Sequence, residues 1–393
     1  MEHLALYRKY RPKDFSEVIG QDHITKTLSN QILNNNISHA YLFCGTRGTG
    51  KTSIAKIFAR AINCPNNLNG SPCNNCEVCN SLKESNNVDI FEIDAASNNG
   101  VENVREIRDK VKYPEVVGKY KVYIIDEVHM LSDSAFNALL KTLEEPPAHV
   151  VFILATTEVQ KLPATILSRC LKFDFKLVSN SSLENLLTKI FDKENVKYDK
   201  ESISLLAKNG EGSVRDTLSL ADMCVAYTNK NISYSAVLDA LGTTNQQILK
   251  ELSSCILNKN AKNLLLTINN ICANGKNIPQ VCKDLVNFFR DITIVKTCDD
   301  YSSILQLPEE QLETLKSLAN ITTIDNLLNI LQKLSGLEQE FRYTKNARSL
   351  FEILLLSLIA DDSKLTHLEN KITELEKKLN TMVLPWKKEF RFK

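Results

Sequence analysis

A chain of 393 residues with 43% hydrophobic and 24% charged side chains is that of a globular protein, too long for one ordinary core, so two or three domains are expected. A net charge of +1 supplies no overall basic field, which leaves nucleic acid only a local surface or a site inside an assembly. The run Met1 to Tyr10 has no apolar signal-peptide core and no stretch has the length of a membrane span, so a cytoplasmic protein without a membrane partner is expected.

In chain order, Arg8 to Gly20 is a polar segment punctuated by Pro12 and Gly20, which predicts a loop. Gln21 to Asn34 reads as an amphipathic helix with Ile24, Leu28 and Ile32 on one face. The apolar run Ala40-Tyr41-Leu42-Phe43-Cys44 predicts a buried strand. It leads into Gly45-Thr46-Arg47-Gly48-Thr49-Gly50-Lys51-Thr52, and Ile54, Ile57, Phe58 and Ala61 then recur at helical spacing over Ser53 to Ile62. Strand, glycine-rich turn and helix are the context of a phosphate-binding loop. Its glycines let the backbone wrap a phosphate, and its N–H groups and the helix N-terminus supply partial positive charge. Lys51 is expected to reach the β- and γ-phosphates and Thr52 to ligate Mg²⁺.

Cys64, Cys73, Cys76 and Cys79 follow in C-x8-C-x2-C-x2-C spacing. Four soft thiolates suit a tetrahedral Zn²⁺ with no open position, which points to a structural site rather than a catalytic one. A redox C-x-x-C pair is the alternative, but no thioredoxin-like pattern surrounds it. The scattered cysteines, such as Cys44, Cys170 and Cys224, read as small core residues.

Val88 to Asp94 alternates like a strand. Val101 to Val111 reads as a helix whose Arg105, Arg108 and Lys110 form a solvated face or, alternatively, touch DNA phosphates. Lys121-Val122-Tyr123-Ile124-Ile125-Asp126-Glu127 is an apolar run ending in two carboxylates. On a parallel strand Asp126 would lie at the carboxyl edge and hold Mg²⁺, and Glu127 would orient and deprotonate the attacking water. A helix over Ser134 to Glu145 halts at Pro146-Pro147. The strand Val150 to Thr157 ends in two hydroxyls, and Thr156 or Thr157 could bond the γ-phosphate or the water, unless this is a plain strand end. A short helix after Pro163 ends in Ser168-Arg169-Cys170 and precedes a strand over Leu171 to Phe175. Strands alternating with helices predict a parallel α/β sheet.

From about residue 179 no further strands are expected. Ser182 to Phe191, Ser202 to Lys208, Ser213 to Tyr227 and Ser235 to Leu241 read as helices. Arg215 lies in a first helical turn, where a cation is unfavourable, so it points to an external anion or to a salt bridge. Helical spacing continues in Leu264, Ile268 and Ile271, in Val281, Leu285, Val286 and Phe289, and in Leu327, Leu328 and Leu331. Leu365, Leu368, Ile372, Leu375 and Leu379 then follow at heptad spacing.

Several stretches now share one likeness. They are Tyr10-Arg11-Pro12 through Val18-Ile19-Gly20-Gln21, the phosphate loop, the four cysteines, Asp126-Glu127-Val128-His129-Met130, Ala155-Thr156-Thr157, Ser168-Arg169-Cys170 and Gly212-Ser213-Val214-Arg215-Asp216. Through them the chain resembles the gamma/tau subunits of bacterial DNA polymerase III clamp loaders, which are AAA+ ATPases, in a short gamma-like form. The likeness is close over residues 4 to 242 and beyond that rests on length and helicity.

The resemblance implies an α/β P-loop AAA+ domain over 1–178 with a zinc-binding insertion at 64–79, and a small helical lid over 179–242. It further implies an all-helical collar for oligomerisation over 243–361 and a short charged tail over 362–393. It implies a subunit that uses ATP to open a sliding clamp and place it on primed DNA, within a hetero-pentameric ring containing copies of itself. Arg169 would act on a neighbour's ATP and Arg215 as the in-chain sensor, while Tyr10, Arg11, Val18 and Ile19 would hold adenine. No polymerase active site is implied. The chain stops at Lys393, soon after the collar, so the longer form's polymerase-core and helicase contacts are not carried over. Three other readings compete. A branch-migration helicase would not need the cysteine module, a non-hydrolysing scaffold subunit would typically lose P-loop chemistry, and a zinc DNA-binding module would need an adjacent basic reading helix.

Overall fold

Five short strands form one parallel sheet: β1 (Ala40–Cys44), β2 (Ile90–Asp94), β3 (Lys121–Asp126), β4 (Val150–Thr156) and β5 (Leu171–Asp174), in the order β2-β3-β4-β1-β5. The structure, a computed structural model, describes residues 4–83, 89–98, 100–241, 246–305, 309–341, 343–344, 346–360 and 371. The chain divides into two compact units, Met1–Val237 and Leu238–Lys393.

The central strands read as unbroken apolar runs because helices cover both faces of the sheet. On one face Ile24 and Leu28 of helix Asp22–Leu33 and Ile54 and Phe58 of helix Lys51–Asn63 pack on Tyr41, Phe43, Ile124 and Ile153. On the other, Val104 and Ile107 of helix Val101–Lys110 and Phe136 and Leu139 of helix Asp133–Glu144 pack on Leu42, Tyr123, Ile125 and Phe152. The expected strands and helices of this region are all present, their ends displaced by a residue or two; Val88 lies outside the described residues. Asp89 is fully buried, and its carboxylate accepts N–H bonds from Val116 (2.9 Å), Val117 (2.6 Å) and Gly118 (2.8 Å), which fixes the loop ahead of β3. Arg105 and Lys110 are exposed and pair with Glu102 and Glu106 of their own helix, the solvated-face arrangement.

The register aligns Cys44 with Thr156 and Asp94 with Asp126, so the strands end level along one carboxyl edge. Insertion of β1 between β4 and β5 places the loop after β1 at that edge, where open α/β sheets bind ligands.

After the sheet come helices Asn180–Glu194, Lys200–Asn209, Val214–Thr228 and Tyr234–Leu241. Asn195 (φ 53°) and Asn229 (φ 48°) end two of them in the left-handed conformation that Asn tolerates. The expectation that strands cease is corrected here: Lys197–Tyr198 pairs in parallel with Asn231–Ile232. Two-residue strands are too short to show an alternation.

The second unit is helical where described: Gln246–Leu257, Ala261–Ala273, Ile278–Thr297, Tyr301–Leu305, Glu309–Ile321, Ile324–Glu340 and residues 347–360. Its core includes Leu264, Leu285, Phe289, Leu327 and Phe351. Leu328, expected on that face, is instead 53% exposed, because Leu327 and Leu331 take the core side and the next residue turns away from it. The heptad-spaced tail residues Leu365 to Leu379 and the boundary at 242 lie outside the described residues. No described helix is long and apolar enough to cross a membrane.

Candidate active site

A cleft of about 850 Å³ opens at the carboxyl edge of the sheet. Its walls come from five places: the N-terminal segment, the loop after β1 with the helix it opens, the ends of β2 and β3, Leu186 of helix Asn180–Glu194, and the start of helix Val214–Thr228. Residues Arg47 to Thr52 line it; Gly45 and Thr46 begin the turn, and their carbonyls accept from the Lys51 ammonium at 2.7 and 2.9 Å. Burial lowers the pKa of Lys51, and the nearby Glu127 and Asp126 carboxylates oppose that shift.

Gly48 shows why this loop needs glycine. Its φ is +77°, and a Cβ there would lie 1.9 Å from the Ser213 hydroxyl oxygen and 3.3 Å from the Arg215 Cβ. The backbone N–H of Arg215 also donates to the Gly48 carbonyl at 3.4 Å. Gly48→Ala is therefore expected to lower stability by about 1–3 kcal/mol, the cost of strained backbone, and to push the Ser213 turn off the loop. A urea unfolding midpoint equal to that of the parent chain would show that the two segments do not depend on this close approach.

Asp126 ends β3, and the Thr52 hydroxyl donates to its carboxylate at 2.7 Å. Two residues read separately as Mg²⁺ ligands thus stand together. Glu127 leaves the strand with φ 47°, a conformation that costs a non-glycine residue about 1–3 kcal/mol and collects at functional sites. Its carboxylate accepts from the Thr157 hydroxyl (3.0 Å) and backbone N–H (3.3 Å) and lies 3.4 Å from His129 Nδ1. Thr156 is fully buried; its hydroxyl lies 3.0 Å from His129 Nδ1 and accepts the Glu158 N–H at 3.0 Å. In this arrangement Thr157 engages the carboxylate at the cleft, while Thr156 belongs to the packing behind it.

Tyr10, Arg11, Val18 and Ile19 all line the cleft, with Arg11 Nε donating to Ser53 Oγ at 3.1 Å and Tyr10 donating to Glu194. Arg215 also lines it, with its guanidinium carbon 5.2 Å from the centre of the Tyr7 ring. Among the described residues no carboxylate forms an ion pair with Arg215. Arg169 is not part of the lining. Its guanidinium pairs with Glu144 at 2.7 Å and donates to the Thr165 carbonyl at 2.7 Å.

The four sulfurs of Cys64, Cys73, Cys76 and Cys79 lie within 4.8 Å of one another. Backbone N–H groups of Cys73, Cys76 and Cys79 point at the sulfurs of Cys64, Cys73 and Cys76, at 3.4, 3.3 and 3.4 Å. N–H donation from Asn75 and Cys76 lowers the Cys73 pKa to about 6, favouring a thiolate. Four convergent sulfurs, three of them with a backbone N–H aimed at them, fit a tetrahedral metal.

Sequence reasoning did not single out Tyr7, Glu194 or Glu144. Each meets its partner, Arg215, Tyr10 or Arg169, far away in the chain, so no local pattern marks it.

Three family models match in succession: "DNA polymerase III, delta subunit" over residues 20–179, "DNA polymerase III clamp loader subunit, ATPase lid domain" over 182–230, and "DNA polymerase III subunits gamma and tau domain III" over 232–375. DNA polymerase III subunit tau of Bacillus subtilis is 41% identical over 97% of this chain and 69% of its own length. DNA polymerase III subunit gamma of Buchnera aphidicola from Acyrthosiphon pisum is 35% identical over 92% of this chain and 99% of its own. The chain belongs to the DNA polymerase III gamma/tau family. As a gamma/tau clamp-loader subunit it is an AAA+ ATPase of DNA replication. Its family implies a nucleotide with Mg²⁺ as cofactor and other clamp-loader subunits as partners. Members differ in length: the chain spans 46% of the Escherichia coli tau subunit, to which it is 42% identical over 296 residues. Among solved structures, the Thermotoga maritima RuvB Holliday junction branch migration motor aligns over 63% of this chain and 79% of its own, at 18% identity and a TM-score of 0.47. A likeness at that level carries no assignment.

Proposed function

We propose that this chain binds and hydrolyses ATP to open a ring-shaped sliding clamp and place it on primed DNA, as one of the subunits of a hetero-pentameric ring that contains further copies of itself. The observation that carries the reading is the convergence on one cleft of Lys51, the Thr52–Asp126 pair, Glu127 and Arg215, in a chain of the gamma/tau family. A non-hydrolysing scaffold subunit has no use for this set.

Bound Mg²⁺ would neutralise charge on the phosphates, with Thr52 and Asp126 holding it. The loop Gly45 to Lys51 cradles the phosphates with its N–H groups, and the Lys51 ammonium turns from its loop carbonyls to the phosphate oxygens. Glu127 orients the attacking water and takes its proton; Thr157 holds that carboxylate until then. Tyr10, Arg11, Val18 and Ile19 hold adenine. Arg215 senses the nucleotide from the lid over 179–242, and Arg169 reaches the ATP of the adjacent subunit. The helical residues from 243 to 361 form the collar. Hydrolysis should rise when clamp, primed DNA and partner subunits are added together, and a rate indifferent to all three would contradict the proposal.

The second element is a structural zinc on Cys64, Cys73, Cys76 and Cys79. Protein purified under reducing conditions should carry one zinc per chain, bound through sulfur alone. Chelation should loosen the module without abolishing ATP binding, because none of its sulfurs lines the cleft. Metal analysis that finds no zinc would rule the site out.

A further inference from the structure

The cysteine module does not stand apart from the nucleotide cleft. Between the cleft-lining stretches 10–12 and 17–19 runs a short link, residues 13–16, that does not itself line the cleft. That link is gripped from the module. The Lys13 carbonyl accepts from Asn74 Nδ2 at 3.2 Å and from Arg60 Nη2 at 3.0 Å, while Arg60 Nη1 donates to Asn74 Oδ1 at 2.9 Å. Two residues on, the Phe15 N–H donates to Ser71 Oγ at 3.2 Å, with the Phe15 side chain buried against the sheet. Asn74 lies between Cys73 and Cys76 with φ 61°, and Ser71 lies two residues before Cys73. Next to Ser71, a Cβ on Gly70 would lie 2.7 Å from the Ser29 backbone, so this stretch also packs closely on helix Asp22–Leu33.

We propose that the four-cysteine module positions the adenine wall: with its four sulfurs tied to one metal, Asn74 and Ser71 hold the main chain at Lys13 and Phe15, and so hold the Tyr10–Pro12 and Glu17–Ile19 stretches in place for the base. Asn74 and Ser71 are positioning residues that touch no nucleotide. Metal occupancy then sets affinity for the base-bearing nucleotide and leaves the phosphate loop alone. The inference rests on the reading of Tyr10, Arg11, Val18 and Ile19 as the adenine wall.

The test compares ATP with inorganic triphosphate, which has the phosphates but no base, by calorimetry on the full chain. Asn74→Gly removes the amide while keeping a residue that tolerates positive φ, and Ser71→Ala removes the acceptor. Each is expected to keep one zinc per chain, to weaken ATP binding about fivefold, as loss of one hydrogen bond does, and to leave triphosphate binding unchanged. The chelated parent chain should show the same selective loss, restored by added zinc; it carries the test if a variant sheds its metal. Val18→Ala/Ile19→Ala, made in the wall itself, should weaken ATP selectively as well. If the wall variant is selective while the metal-retaining brace variants and the chelated chain bind ATP normally, the brace is wrong and the wall stands. Equal losses for both ligands also overturn the brace. A wall variant without effect overturns the wall, and the brace with it.

Discussion

Lys51→Ala is expected to abolish ATP binding while leaving the fold and the helical second unit intact. Lys51 is the ammonium of the phosphate loop, only 6% exposed, and it faces Asp126 and Glu127 across the cleft. A hydrogen bond to a charged group contributes about 1.5–3 kcal/mol, so losing contacts to two phosphates should weaken ATP by about 10²-fold or more. Among the described residues the ammonium bonds the carbonyls of Gly45 and Thr46, both in the loop, and Lys51 is no member of the hydrophobic cores, so its removal opens no gap in them. Equilibrium binding of a fluorescent ATP analogue measures the loss, and unfolding by urea checks the fold. Normal affinity in a folded variant would remove this loop from the site.

Arg169→Ala should leave ATP binding nearly unchanged and collapse hydrolysis in the assembled ring. In the single chain the Arg169 guanidinium pairs with Glu144, outside the lining of its own cleft. An arginine supplied in trans is worth about 10³-fold or more in the enzymes where it has been dissected, because a cation beside the transferring phosphoryl group acts in a water-excluded site. Mixing Arg169→Ala chains with Glu127→Gln chains is the sharper form. A site made of an intact Glu127 in one chain and an intact Arg169 in its neighbour can form at some interfaces, so mixed rings should recover activity that neither variant shows alone. Mixed rings that recover nothing, or isolated monomers that hydrolyse as fast as rings, would place the whole site in one chain.

Where the chemistry is carried by consecutive residues, the sequence was enough to read it. The phosphate loop between an apolar run and a helical period, the Asp126 at the end of β3 and the close spacing of Cys73, Cys76 and Cys79 all lie in local pattern. The central strands β1, β3 and β4 were equally legible, since both faces of the sheet are covered there and each is a run of apolar residues, while the edge strand β2 showed itself by alternation. What sequence could not supply are contacts closed by the fold across long separations. The Tyr7 ring stands over Arg215, Gly48 meets Ser213, and the Thr157 hydroxyl holds Glu127. The left-handed turn at Glu127 follows from the exit of β3, not from any preference of glutamate. Leu328 shows the opposite error: three apolar residues at near-helical spacing suggested a face that only two of them share.

In the proposed function, nucleotide chemistry in this cleft drives the loading of a clamp. The most direct measurement is retention of a labelled sliding clamp on circular primed DNA, followed by gel filtration after incubation with the ring reconstituted from this chain and its partner subunits. Clamp should stay with the DNA only when ATP is present and the chain carries Lys51. Equal retention without ATP, or with Lys51→Ala in every copy of this chain, would contradict it.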